Sequence, residues 1–97
     1  MERATSARNE LGPLLDLLIS QLDAEGSATQ RRYFARIRRC LEQADHEAEL
    51  ATSIRELYCT SAVGFSFSSD AIPLIDRILA KAVRLARDLE GEYQPRH

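Results

Sequence analysis

Lysine is almost missing from this 97-residue chain, which has one lysine against twelve arginines, and tryptophan is missing altogether. Proline occurs three times, glycine four times and cysteine twice. Two cysteines are too few for a disulfide scaffold. No stretch approaches the run of about 20 apolar residues that a membrane helix needs. The opening residues are polar and contain no hydrophobic signal region, so a cytoplasmic address is the expectation. Charge of one sign is also lacking: the net charge is -2 and 44% of residues are hydrophobic, which sets the chain apart from disordered sequences. Phosphate-cradling glycine loops and dinucleotide fingerprints are absent. Neither cysteine has a histidine at a predictable position to activate it, and the serines cluster without a base, so no catalytic residues are assigned and an enzyme is not expected.

A chain of this length builds one core, so residues 1–97 form a single domain, with loose ends expected at about 1–8 and 92–97. Helical periodicity fills most of what lies between. Leu11, Leu14, Leu15, Leu18 and Leu22 keep the i, i+3, i+4, i+7 spacing of an amphipathic helix. Pro13 fits that helix's first turn, and Gly26 fits its end; a helix entering earlier and bending at Pro13 is the alternative. Ser27 and Gln30 have the spacing of a capping box for a second helix. Its stripe is Phe34, Ile37, Leu41 and Ala44.

Neither glycine nor proline interrupts residues 28–61, so one continuous helix could run through them. The phase argues against it. At about 100° per residue, the apolar direction of Leu50, Ile54, Leu57 and Tyr58 is turned about 120° from that of the preceding stripe. Asp45 has the chemistry of an N-cap at the change, with Glu47 and Glu49 suited to the following helix dipole. After a serine-rich loop over 62–69 containing Phe65 and Phe67, a last helix carries Ile72, Ile75, Leu79, Ala82, Ala86 and Leu89. Asp70 or Ser69 is the expected cap and Gly91 the expected end.

These readings give an all-α, antiparallel four-helix bundle with helices near 13–25, 28–44, 46–61 and 71–91. The alternative has a long central helix over 28–61 whose core is completed by a dimer partner. The cysteines do not bridge in either arrangement. On one helix Cys40 and Cys59 lie about 28 Å apart, and in a hairpin folded near residue 46 position 40 faces about position 52. Free, buried or half-buried thiols are expected.

The most concentrated signal is RRYFARIRR, where Arg31, Arg32, Arg36, Arg38 and Arg39 fall within nine residues. Residues 28–44 carry these five arginines against Glu42, a balance of +4. Residues 13–25 carry Asp16, Asp23 and Glu25, and residues 45–61 carry Asp45, Glu47, Glu49 and Glu56 against Arg55, so each flanking segment stands at -3. In an up-down bundle sequence neighbours are spatial neighbours, and the basic helix should be met by carboxylates on both sides. A nucleic-acid reading would instead use Arg32, Arg36 and Arg39 with a second row, Arg77, Lys81 and Arg84, as phosphate contacts.

Glu42, Asp45, His46 and Glu49 have spacings that could converge on a metal. They point about 110° from the core stripe, and the duplicate motif a dinuclear bundle site needs is missing, so neither metal nor cofactor is expected. What remains is apolar. Leu17 stands about 120° off its helix's stripe beside Leu14. Phe65 and Phe67 on the long loop either fold over the open end of the bundle as a plug or offer aromatics for docking, and Leu74, Ile78 and Leu85 widen the last helix's apolar face. These seven residues are the candidate partner-binding set. The functional expectation is a non-catalytic helical protein-protein interaction module, an accessory or regulatory subunit that self-associates as a homodimer.

Overall fold

The computed structural model describes the backbone over residues 2–44, 47–58 and 65–93, and side chains over 5–44, 48–57 and 65–88. Among the described residues every regular element is an α-helix: α1 (Glu2–Glu25), α2 (Ala28–Gln43), α3 (Glu47–Tyr58) and α4 (Ile72–Tyr93). Each helix packs on its sequence neighbours and α1 closes the ring on α4, while α1 and α3 touch across the diagonal and α2 and α4 do not meet. The result is a four-helix bundle measuring 48 × 24 × 18 Å.

The continuous helix over 28–61 does not form. Ala44 is extended, with ψ 120°, which ends α2 and lets the chain turn toward α3. The phase change thus marks a real break, because two stripes about 120° apart on one rod could not both face the same core. The proposed cap at Asp45 and the metal-spaced His46 lie outside the described residues, as do Cys59 and the last residues of the expected third helix.

α1 corrects the expected start. It begins at Glu2 and passes through Pro13, whose missing N–H and ring would ordinarily break a helix interior. Two features permit this. Gly12 has no Cβ to clash with the proline ring, removing much of the usual bar to helical geometry before proline. Ala7 and Leu11 also continue the buried leucine stripe toward the N-terminus, and burying a leucine contributes about 1.5–3 kcal/mol. Packing therefore holds what local preference would release.

At its other end α1 stops where expected, at Gly26, whose φ of 73° few other residues adopt comfortably. Ser27 N–H donates to the Leu22 carbonyl at 2.9 Å and Gly26 N–H to that of Asp23 at 3.1 Å, a Schellman closure. Gly91, by contrast, does not end α4, which continues to Tyr93. A glycine stops a helix by turning left-handed, and Gly26 alone among the described glycines does so.

The caps also differ from expectation. Ser27 is the N-cap of α2 but makes no side-chain cap bond; Gln30, its supposed partner, instead donates to the Ser66 carbonyl at 2.7 Å. Before α4 it is Ser68, not Ser69 or Asp70, whose Oγ accepts from Ala71 N–H at 3.1 Å. The core between the helices contains Leu11, Leu15, Leu18 and Leu22 from α1, Phe34, Ile37 and Leu41 from α2, Leu50, Ile54 and Leu57 from α3, and Ile75, Ile78 and Ala82 from α4.

Candidate interaction surfaces

Three of the five clustered arginines are met by neighbouring helices. Arg31 reaches Asp23 of α1 at 3.5 Å, Arg38 reaches Asp16 of α1 at 3.1 Å and Glu42 of its own helix at 2.7 Å, and Arg36 reaches Glu56 of α3 at 2.7 Å. The acidic flanks predicted from helix charge are therefore where the guanidinium groups need them. Hydrogen bonding to Glu56 raises the Arg36 pKa, and hydrogen bonding to Asp16 does the same for Arg38, so both stay charged throughout the accessible pH range. Arg36 also lies 5.6 Å over the Tyr33 ring.

Arg32 and Arg39 differ. Both are exposed and have no ion pair or hydrogen bond among the described residues. Seven residues apart, they sit about 20° from one another around the helix and about 10.5 Å apart along it, on the side away from the core.

The second basic row is split. Lys81 approaches Glu10 of α1 at 3.5 Å and Arg84 pairs with the same carboxylate, while Arg77 is exposed and unpaired among the described residues. Since α2 and α4 occupy diagonal corners, the rows Arg32, Arg36, Arg39 and Arg77, Lys81, Arg84 do not join into one surface.

The apolar candidates divide as well. Leu14, Ile78 and Leu85 belong to the buried core, which corrects their place in the partner-binding set. A wide apolar face on a helix reflects how many neighbours it has, and α4 packs on both α3 and α1. Phe65 and Phe67 are partly buried. They fold over one end of the bundle, with Phe65 5.2 Å from Tyr33 and Phe67 6.0 Å from Phe34 between ring centroids, in tilted and edge geometries.

Leu17 stays out at 55% exposure. Glu10 bonds to Lys81 and Arg84 while Glu25 bonds to Ser68, so Leu17, midway between them on α1, lies about level with Ile75 and Asp76 of α4. Half-buried Leu74 and exposed Arg77 are within a turn of that level, and exposed Pro13 is one turn away on α1. Ile72 and Val83 are exposed too, on the flank of α4 away from Lys81.

Cys40 is free but exposed rather than buried. Exposed position 40 faces a shallow polar depression between α2 and α3, about 240 Å³, lined by Cys40, Gln43, Glu49, Thr52, Ser53 and Glu56. That is below the roughly 300–1,000 Å³ of ordinary ligand pockets. Among the described residues no three His, Cys, Asp or Glu side chains gather as a metal site, and no helix is long and apolar enough to cross a membrane.

Two residues that tie the helices together had little sequence signal. Arg8 donates from Nε to the Leu41 carbonyl at 3.2 Å and from Nη2 to the Ala44 carbonyl at 2.7 Å, closing the C-terminus of α2. Glu10 ties α1 to α4. The chain matches no family model, no curated protein and no solved structure.

Proposed function

We propose that this chain is a non-catalytic helical protein-protein interaction module that self-associates, acting as an accessory or regulatory subunit. The observation that carries the reading is the exposed Leu17 on α1, about level with half-buried Leu74 of α4. A second copy suits this face because of charges on α4. Arg77 and Asp88 are both exposed and unpaired among the described residues. Eleven residues apart, they return to within about 20° of the same helix meridian. Two α4 helices set antiparallel about a two-fold axis near residues 82 and 83 would bring Arg77 of each copy to Asp88 of the other. Such a contact is isologous and closes at two subunits. The cytoplasmic setting belongs to the same proposal.

Sedimentation equilibrium up to about 1 mM tests it, since even a 4 kcal/mol association is visible there. The wild type should dimerise, Leu17→Asp should be monomeric, and Asp88→Arg should weaken the dimer while Arg77→Asp with Asp88→Arg recovers it. A wild type monomeric throughout that range refutes the reading. The nucleic-acid alternative has less support, because its two arginine rows point away from each other and Glu10 already engages Lys81 and Arg84.

A further inference from the structure

We infer that the outward face of α2 is a docking ridge for an acidic helix of a partner protein. The inference rests on reading the chain as an interaction module, but uses a different face from the self-association just proposed.

Carboxylates of α1 and α3 answer the two edges of α2, and the one acid on its outer side is Glu42, a turn beyond Arg39 and bonded to Arg38 at 2.7 Å. Arg31 and Arg38 are answered from α1 and Arg36 from α3, whereas Arg32 and Arg39 have no partner among the described residues. The outer seam runs Ala28, Arg32, half-buried Ala35 and Arg39, with steps of four, three and four residues, and ends at Glu42, whose charge is answered by Arg38. That is the spacing at which one helix meets another along a shared seam. Small side chains at positions 28 and 35 leave room for a second helix axis to come close, and the two guanidinium groups, about 10.5 Å apart along α2, are separated by the same two turns that separate carboxylates seven residues apart on a partner helix.

Arginine suits the task better than lysine because its planar fork can engage a carboxylate through two hydrogen bonds. Arg36 adds to the field without being free: its side chain is 51% exposed while bonded to Glu56. A nucleic acid is the poorer occupant. Affinity for a duplex comes from neutralising several phosphates, and here two free arginines stand on one face of a molecule whose net charge is -2.

The probe is a synthetic peptide of three heptads, helical and capped at both ends, with alanine and glutamate alternating along its contact seam. Fluorescence anisotropy with the full chain should give binding at about 20 mM salt that weakens several-fold by about 150 mM, as screening shortens the reach of exposed charges. Arg32→Glu with Arg39→Glu should lower the affinity at least about tenfold, a loss of about 1.4 kcal/mol. The control, Arg55→Glu with Arg87→Glu, reverses the same amount of charge at exposed, unpaired positions on α3 and α4 and should stay within about twofold of wild type. All four side chains lack internal partners among the described residues, so circular dichroism should be unchanged in both double variants.

No peptide binding at low salt overturns the ridge, as does equal loss in the two double variants, or a duplex oligonucleotide of equal charge binding as tightly and losing as much on Arg32→Glu with Arg39→Glu. Sedimentation of the same samples separates the two proposals. A monomer that binds the peptide refutes self-association alone, and a dimer that ignores it refutes the ridge alone.

Discussion

The two ends of the bundle are closed by different chemistry. At the end where α1 leaves and α4 begins, Tyr33, Phe34, Phe65 and Phe67 pack ring against ring, with centroids 5.1 to 6.4 Å apart. At the other end Arg8 closes α2 by hydrogen bonds to two carbonyls, and Glu10 gathers Lys81 and Arg84. The first closure rests on area removed from water and is nearly indifferent to salt. The second rests on directed polar bonds near solvent, where each bond has a smaller net effect. Between them Pro13 interrupts the hydrogen-bond ladder of α1, so the first turns of that helix depend on tertiary contacts more than on their own continuity.

Changes at these ends should therefore differ in size and in salt dependence. The largest loss is expected for Phe34→Ala, about 3–5 kcal/mol by urea unfolding, because the ring is 1% exposed and packs against Tyr33, Phe65 and Phe67. A loss below about 1 kcal/mol would mean that the aromatic end does not organise the fold. Arg8→Met keeps an apolar stem but strips both donors, and should cost about 1.5–3 kcal/mol, with hydrogen exchange accelerating first in the last turn of α2. Pro13→Ala should run the other way. Proline in a helix interior is about 3 kcal/mol less favourable than alanine, a difference that already includes the freer unfolded chain, so a gain of up to about 3 kcal/mol that couples the two halves of α1 is expected.

Ser68→Ala removes the cap of α4 and should cost about 0.5–2 kcal/mol at neutral pH. It also removes the main cause holding the Glu25 carboxyl below its ordinary pKa, with Gln21 the second. A carboxylate whose folded pKa is depressed stabilises the fold above its unfolded value, about 4.3, and that part is lost as pH falls through the folded value. The gap between wild type and Ser68→Ala should therefore narrow below about pH 4, and a gap constant with pH would detach Glu25 from the cap. The smallest effect belongs to Arg38→Gln, at most about 1 kcal/mol and less in high salt, since its partners Asp16 and Glu42 are mostly exposed.

Much of the architecture was legible because burial leaves a periodic trace. All four residues of the α2 stripe, Phe34, Ile37, Leu41 and Ala44, are buried, and the phase change before Leu50 announced a second direction of packing. The helix charges likewise anticipated that acidic helices on both sides meet the basic one, though not which arginines they answer. The errors came where a residue's partner lies far along the chain. Gln30 serves Ser66 rather than Ser27, and Arg8, read as part of a loose end, finds carbonyls 33 and 36 residues away. No local spacing encodes those meetings. The surface candidates were misjudged for a related reason: Leu14, Ile78 and Leu85 look like surplus until a helix is known to have two neighbours.

What the amino-acid order determined here is which side of each helix avoids water and where the rods must break, since amphipathic period, helix phase and a left-handed glycine act over a few residues. Which arginines are satisfied and which are left facing outward was decided only in three dimensions. A guanidinium group's fate depends on whether a carboxylate arrives from another helix, and that is a matter of how the rods are arranged about one another.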